Sequence, residues 1–217
     1  MLNVESALRA CFLPPMTLDF ETLAPREAYA WMTNTITPRP IAWVSTISAE
    51  GKTNLAPFSY FQAVCTKPPM LIFVGAIDRT GKKKDSVINA GQVPEFVVNL
   101  VPHGLAEPMN LTATPLPHGE SEFDKFTIHT APSIKVRPPR VAAAPVAFEC
   151  VVDRIIDLGD GPSGSNVVFG RIVQAHIADA VLGADGQVDP HKLDTIGRMG
   201  GDFYTRTTEL FTITRPR

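Results

Sequence analysis

The fold of this chain is decided by residues 38–61, Pro-Arg-Pro-Ile-Ala-Trp-Val-Ser-Thr-Ile-Ser-Ala-Glu-Gly-Lys-Thr-Asn-Leu-Ala-Pro-Phe-Ser-Tyr-Phe. The first half, residues 41–48, is rich in β-branched and aromatic side chains, which suit a pleated, half-buried strand. Residues 49–52 form a polar turn in which Gly51 is free to take a positive φ. Residues 54–61 follow as a second run, so the stretch predicts a β-hairpin.

The second run of this hairpin is unusual for a packed strand. Asn54, Ala56 and Ser59 are small or polar, and Pro57 cannot donate a hydrogen bond to a central ladder. The run therefore predicts an edge or a bend. One interpretation is an ordinary edge strand that Pro57 protects from aggregation. The other is a strand whose open backbone groups face a flat ligand.

The rest of the chain predicts strands separated by short helices. An apolar run at 70–77 indicates a buried strand, and the 147–158 and 167–178 runs indicate a hairpin around a glycine-rich turn. A further strand is predicted at 95–101, and short helices at 25–34, 82–90, 103–110 and 123–126, with Gly91 ending the second. Tyr29, Ala30 and Met32 of the first helix are expected to pack on the barrel. About six strands with inserted helices predict a closed or split barrel. We expect one domain, residues 1–217, in which residues 1–25 form an N-terminal arm.

Composition excludes several classes of protein. The net charge is −2, so no large basic field is available for a nucleic-acid backbone. The longest apolar run is too short to span a bilayer, and we expect no secretory signal. Three cysteines and five histidines have no spacing typical of a metal site or a catalytic triad. We expect a cytoplasmic protein without a bound metal, each cysteine serving as a small buried residue.

Residues 84–86, Lys-Asp-Ser, follow a strand at the start of a predicted helix. Helix N-termini offer free N–H groups and a favourable dipole for an anion, which Lys84 and the Ser86 hydroxyl would complement. Asp85 would repel an anion, so we expect it to cap the helix or to orient Lys84. On composition alone, a solvated lysine-rich loop with an ordinary helix cap is the favoured interpretation.

These motifs together resemble a known family. Arg-Pro-Ile-Ala-Trp-Val-Ser-Thr at 39–46, Gly51 and Asn-Leu-Ala-Pro-Phe-Ser at 54–59 resemble the core motif of the flavin reductase-like, FMN-binding split-barrel family. Residues 84–86 and the strand at 95–99 fall where that family has Lys-Asp-Thr and its next strand. Residues 197–204, Gly-Arg-Met-Gly-Gly-Asp-Phe-Tyr, are similar to its C-terminal Arg-x-Gly-Gly-x-x-Tyr. Ser86 replaces a threonine but keeps the hydroxyl.

The resemblance implies a mainly β split barrel with short inserted helices that binds FMN, with FAD as the alternative flavin. It also implies a homodimer with the flavin near the subunit interface. No catalytic side chain is predicted. The residues that the resemblance assigns to cofactor binding are Arg39, Pro40, Ile41, Ala42, Ser45, Thr46, Asn54, Ala56, Pro57, Phe58, Ser59, Lys84, Asp85, Ser86 and Arg198.

The activity implied by the resemblance is NAD(P)H-dependent flavin reduction, in which hydride passes from nicotinamide to flavin N5 and an oxygenase accepts the electrons. Such a transfer depends on stacking and orientation, because the cofactor supplies the chemistry. One alternative is an FMN-bound electron carrier or oxidoreductase that does not use NAD(P)H directly. Another is a barrel module that binds a different ligand, such as single-stranded nucleic acid, although the acidic chain lacks a basic, aromatic groove.

Overall fold

The computed structural model describes residues 15–216. Most of the predicted N-terminal arm, together with Cys11, lies outside the described residues, and residues 15–24 contain no helix or strand. None of the helices between residues 15 and 216 combines the length and the apolar composition that crossing a bilayer requires.

Strands dominate the fold, and the helices between them are short. The strands are β1 (Arg39–Pro40), β2 (Ala42–Ile47), β3 (Thr53–Phe58), β4 (Phe61–Thr66), β5 (Pro69–Ala76), β6 (Glu95–Leu100), β7 (Thr130–Ala131), β8 (Arg140–Val141), β9 (Val146–Leu158), β10 (Ser165–Ile177), β11 (Ile196–Arg198) and β12 (Tyr204–Arg206). The helices are α1 (Pro25–Thr35), α2 (Asp85–Gln92), α3 (Ala106–Leu111), α4 (Glu122–Lys125) and α5 (Pro190–Leu193), with 3₁₀ turns at His103–Leu105 and Asp179–Val181.

One antiparallel sheet of seven strands, in the order β3-β2-β6-β9-β10-β5-β4, forms the body of the molecule. Strands β1, β11 and β12 form a small second sheet, and β7 pairs with β8. The expected mainly β architecture is confirmed, as is the hairpin of β9 and β10.

The hairpin predicted at residues 41–61 is confirmed, with Ala42 opposite Phe58 and Ile47 opposite Thr53. Gly51 has a φ of +83° in its turn. Strand β3 is an edge of the large sheet, as Pro57 predicts. The second run ends earlier than expected, at Phe58, because the chain turns there and enters β4.

Three smaller predictions are wrong. Helix α2 runs to Gln92, so Gly91 lies inside the helix and does not end it. The side chains of Tyr29 and Met32 on α1 are exposed rather than packed on the sheet. Cys65 is exposed at the edge strand β4, whereas Cys150 is buried as expected.

Successive side chains of β2 point to opposite faces of the sheet, where they pack in two separate apolar clusters. Ala42 and Val44 join a cluster that includes Phe73 and Phe96. Trp43 points the other way and is fully buried in a second cluster. Its indole N–H donates to the Thr112 hydroxyl at 2.9 Å, which satisfies the ring's polar atom inside the core.

Helix α2 lies directly on the sheet because glycine occupies position 75 of β5. A Cβ at Gly75 would stand 2.6 Å from Cγ2 of Val87, closer than two carbons can approach. Val87 and Ala90 of the helix are buried in the first apolar cluster. The absence of a side chain at Gly75 therefore allows α2 to pack close to β5.

A buried carboxylate, Glu149 of β9, fastens the proline-rich connection at 132–145 to the sheet. Its oxygens accept hydrogen bonds from the backbone N–H groups of Ile134 at 2.7 Å and Lys135 at 2.6 Å. A third contact, at 2.5 Å, joins it to Nε2 of His176. Burial raises the pKa of the Glu149 carboxyl, but the contacts with His176 and the two N–H groups outweigh it, and the pKa lies below 4.5, its ordinary value.

We expect Glu149→Gln to lower the free energy of unfolding by about 3 kcal/mol at neutral pH, because the backbone N–H groups of Ile134 and Lys135 lose a buried, charged acceptor. The depressed pKa contributes stability that is present above pH 4.5 and disappears as the pH falls through the folded-state value. The variant should therefore lose less stability on acidification. Urea unfolding from neutral to acidic pH measures both effects. Asp153→Asn, at an exposed ion pair, is the control and should change stability by less than about 0.5 kcal/mol.

Candidate functional site

A cleft of about 290 Å³ opens along the outer edge of β3. One wall is β3 itself, the second is the loop that leads into α2, and the third is the loop after α3. We refer to it as the β3 cleft. Its lining residues are Asn54, Ala56, Pro57, Phe58, Asp78, Lys82, Lys83, Lys84, Asp85, Ser86, Thr112, Ala113, Thr114, Pro115, Leu116 and Glu122.

Seven residues predicted to bind a cofactor meet in this cleft. The bent strand and the lysine-bearing helix start, 27 residues apart between Pro57 and Lys84, face each other across it. Ser59 follows β3 and is not part of the lining. The predicted residues that the cleft brings together are Asn54, Ala56, Pro57, Phe58, Lys84, Asp85 and Ser86.

Buried hydrogen bonds hold α2 against the floor of the cleft. The Asn54 side-chain amide donates to the Ser86 hydroxyl at 2.8 Å. Asn89, one turn further along α2, donates to the Thr46 hydroxyl at 3.1 Å. All four side chains are buried. Thr46 therefore supports the helix from beneath and does not line the cleft.

The three lysines at the cleft mouth differ in their partners. The ammonium of Lys82 lies 3.3 Å from the Asp85 carboxylate, and that of Lys83 lies 2.9 Å from Asp157. The Lys84 ammonium has no ion pair or hydrogen bond with any residue between 15 and 216. Lys84 is thus the cation that is available to a ligand.

The capping role expected of Asp85 is wrong. Lys84 occupies the N-cap position of α2, and Asp85 is the first helical residue, without a cap hydrogen bond. Its carboxylate instead contacts Lys82 and, at 3.1 Å, Nδ1 of His118. These contacts tie the entrance of the helix to the loop at 112–120.

Arg39 lies outside the cleft and is 7% exposed. Its guanidinium group is held by three backbone carbonyl oxygens. It donates to the carbonyl oxygens of Thr33 at 2.6 Å, Ile36 at 2.7 Å and Met199 at 2.8 Å. The first two carbonyls belong to the end of α1, and the third belongs to the glycine-rich segment at 197–204. Arg39 therefore joins two distant parts of the chain.

The other predicted residues outside the cleft have separate positions. Ile41 and Ala42 are buried in the two apolar clusters, and Pro40 borders an apolar groove beside β4 and β11. The buried Ser45 hydroxyl donates to the carbonyl of Pro139 at 2.5 Å. Arg198 stacks on the ring of Tyr204, 4.5 Å from its centroid.

Sequence reasoning missed four charged residues of the cleft, Asp78, Lys82, Lys83 and Glu122, of which Glu122 lies at the start of α4. The side chain of Glu122 is buried, and one carboxylate oxygen accepts a hydrogen bond from the backbone N–H of Leu55 at 2.8 Å. Burial raises the pKa of the Glu122 carboxyl, the Leu55 N–H opposes the shift, and the charge of Asp85 adds to it. The contact spans 67 residues of sequence, so no local pattern announces it.

Comparison with known proteins identifies relatives of this chain. Residues 33–191 match the profile of the flavin reductase like domain. An uncharacterized protein of Deinococcus radiodurans is 38% identical over 205 residues, which cover 91% of this chain and 88% of that protein.

Two solved structures have 30% sequence identity to this chain. Nitrilotriacetate monooxygenase component B from Bacillus cereus has a TM-score of 0.87 and covers 92% of this chain and 98% of its own. The 2-nitrobenzoate 2-nitroreductase NbaA from Pseudomonas fluorescens has a TM-score of 0.80 and covers 93% of this chain and 96% of its own. The predicted split barrel is confirmed by structures with this fold.

The contacts of Arg39 generate a prediction about its role. Arg39→Met should lower the free energy of unfolding by about 3 kcal/mol, because three partly or fully buried carbonyl oxygens lose a charged donor. Urea unfolding monitored by tryptophan fluorescence measures the change. Arg137→Met, which removes an exposed ion pair with Glu95, is the matched control and should cost less than about 0.5 kcal/mol. Equal effects of the two substitutions would contradict the tethering role.

Proposed function

Because this chain belongs to the flavin reductase-like family, we propose that it is an oxidoreductase that holds FMN in the β3 cleft and reduces it with NADH or NADPH. The proposal rests above all on the shared cleft of Pro57 and Lys84. The Lys84 ammonium at the start of α2 suits the phosphate of FMN, and the small residues of β3 suit its flat ring.

The phosphate end of FMN fits the entrance of α2. Lys84 carries the available positive charge, and the first N–H groups of the eight-residue helix have no partners within it. Ser86 accepts a hydrogen bond from Asn54 and keeps its own hydroxyl proton free to donate. Charge-assisted hydrogen bonds of this kind are the stronger class, so this end would anchor the ligand.

The ring end of the flavin fits the wall formed by β3. Ala56 and Pro57 carry no long side chain, so a flat ring can approach the backbone of the edge strand. Phe58 and the opposite loop, with Pro115 and Leu116, supply apolar cover. These residues would orient the ring and exclude water from one of its faces.

When bound, the flavin supplies the hydride chemistry at N5. The residues of the chain bind and orient the reactants, and we propose no essential side-chain base. We also propose that the protein acts as a homodimer, which would bring further residues to the cofactor. Phe203, five residues after Arg198 in the glycine-rich segment, is 76% exposed and is a candidate for that contact.

The electron acceptor could be one of two kinds, a partner oxygenase or a small molecule. Similarity to a monooxygenase component supports transfer of electrons to a partner oxygenase. Equal identity to a 2-nitrobenzoate 2-nitroreductase supports a second function, the reduction of a small acceptor bound beside the flavin in the same cleft. Reduction of a nitroarene by the purified protein without a partner selects the second function.

The first experiment is an anaerobic titration of the purified, FMN-loaded protein with each nicotinamide. We expect the visible absorbance of the flavin to bleach on addition of NADH or NADPH. A protein that binds FMN but keeps its absorbance with both nucleotides would be an electron carrier without direct use of NAD(P)H. A protein that binds no flavin would contradict the proposal.

Lys84→Ala should weaken FMN binding about ten- to a hundredfold, the loss expected when a charged hydrogen bond to the phosphate is removed. Lys83→Ala is the matched control, since the Lys83 ammonium is engaged by Asp157, and it should change affinity by about twofold or less. Fluorescence titration gives both dissociation constants.

Riboflavin, which lacks the phosphate, separates this role from a general loss of structure. Its affinity should be the same in Lys84→Ala and the unmodified protein. A parallel loss of riboflavin affinity would show that Lys84 does not act on the phosphate.

A further inference from the structure

The carboxyl group of Glu122 forms a hydrogen bond with the backbone of β3, the edge strand of the large sheet that lines the cleft. Strand β3 pairs with β2 on one side only, so alternate backbone N–H groups on its outer side have no partner strand. Glu122 accepts the hydrogen bond of one of them, that of Leu55, at 2.8 Å. The residues on either side of Leu55, Asn54 and Ala56, line the cleft.

The surroundings of Glu122 hold this carboxyl in place. Its side chain is 6% exposed, and α4, on which it lies, packs against β3. The preceding residue, Ser121, joins its hydroxyl to that of Thr53 at 2.7 Å. Two contacts, one from each of two adjacent residues, therefore fix the start of α4 to the edge strand.

The charged groups around the cleft nearly cancel. The cleft lining also contains Lys82, Lys83, Lys84, Asp78 and Asp85, and His118 lies 3.1 Å from the Asp85 carboxylate, while Asp124 and Lys125 lie on the helix of Glu122. Residues 54–58 and 112–116 contribute no titratable side chain. Among the lining residues, three lysines face three carboxyl groups, so protonation of Glu122 leaves the cleft with one excess positive charge.

We propose that Glu122 is a positioning residue that fixes the ligand-facing backbone of β3, and that its ionisation makes the affinity of the cleft for an anionic ligand depend on pH. The inference rests on the proposed function, in that the anion is the phosphate of FMN. Neutral Glu122 favours the anion, and ionised Glu122 opposes it. Because burial raises the pKa of this carboxyl, the change occurs above pH 4.5, its ordinary value.

Two conservative variants distinguish the positioning role of Glu122 from the effect of its charge. Glu122→Gln keeps an oxygen that can accept the Leu55 N–H but cannot ionise. Glu122→Asp keeps the charge, but its shorter side chain draws the oxygen away from Leu55. Both retain a polar group at the start of α4, so both are expected to fold.

The first measurement needs no flavin. In the unmodified protein, the amide resonance of Leu55 should shift with pH as Glu122 titrates. In Glu122→Gln this shift should be absent, and in Glu122→Asp the Leu55 amide should exchange its hydrogen faster. A Leu55 titration that is unchanged in Glu122→Gln, or unchanged exchange in Glu122→Asp, would overturn the positioning role.

The second measurement compares FMN with riboflavin at each pH. The dissociation constant of FMN divided by that of riboflavin isolates the contribution of the phosphate to binding. The phosphate itself titrates equally in the unmodified protein and in Glu122→Gln, so a comparison of the two proteins removes that effect. As the pH rises above 4.5, this ratio should rise about fivefold more in the unmodified protein than in Glu122→Gln, a typical coupling between two sites. Identical pH profiles would overturn the electrostatic role.

Failure of the proposed function gives a different result. A protein that binds neither flavin at any pH would refute FMN as the ligand, while the Leu55 measurement would still decide the positioning role. A protein that binds FMN with a profile unaffected by Glu122→Gln would leave the proposed function standing and refute the electrostatic part of this inference.

Discussion

The fold and the cleft both depend on the contact between α2 and the sheet. Two buried hydrogen bonds, Asn54 to Ser86 and Asn89 to Thr46, join the helix to neighbouring strands of the sheet. Buried amides and hydroxyls are costly to leave unpaired, so each bond favours a single register between helix and strand. That register carries Lys84 to the cleft that Pro57 lines.

Much of the fold was predictable from local pattern. The β-branched run at 41–48, the glycine of the turn and the proline of the edge strand each imply a backbone conformation on their own, and the structure agrees with all three. Strand β4 was missed because the predicted second run, 54–61, includes only its first residue, Phe61, and no element was predicted for residues 62–66. The chain bends at residues 59–60 and passes from one edge of the large sheet to the other, a path that no short stretch of sequence specifies.

The cleft was predictable only in part. Lys84 and the 54–58 stretch carry recognisable motifs, whereas Glu122 is identified by one hydrogen bond to Leu55, far away in sequence. Arg39 shows the opposite case, a motif residue whose side chain bonds backbone carbonyls of α1 and of the segment at 197–204. A sequence motif identifies a residue type at a position, but it does not show whether that residue contacts a ligand or another part of the chain.

The close approach at Gly75 also limits how this chain can diverge. A side chain at position 75 would overlap Val87, and moving α2 away to make room would break the two hydrogen bonds beneath it. Positions 75 and 87 are consequently unable to drift independently. In descendants of this sequence, a side chain at position 75 has to arrive together with a residue smaller than valine at position 87.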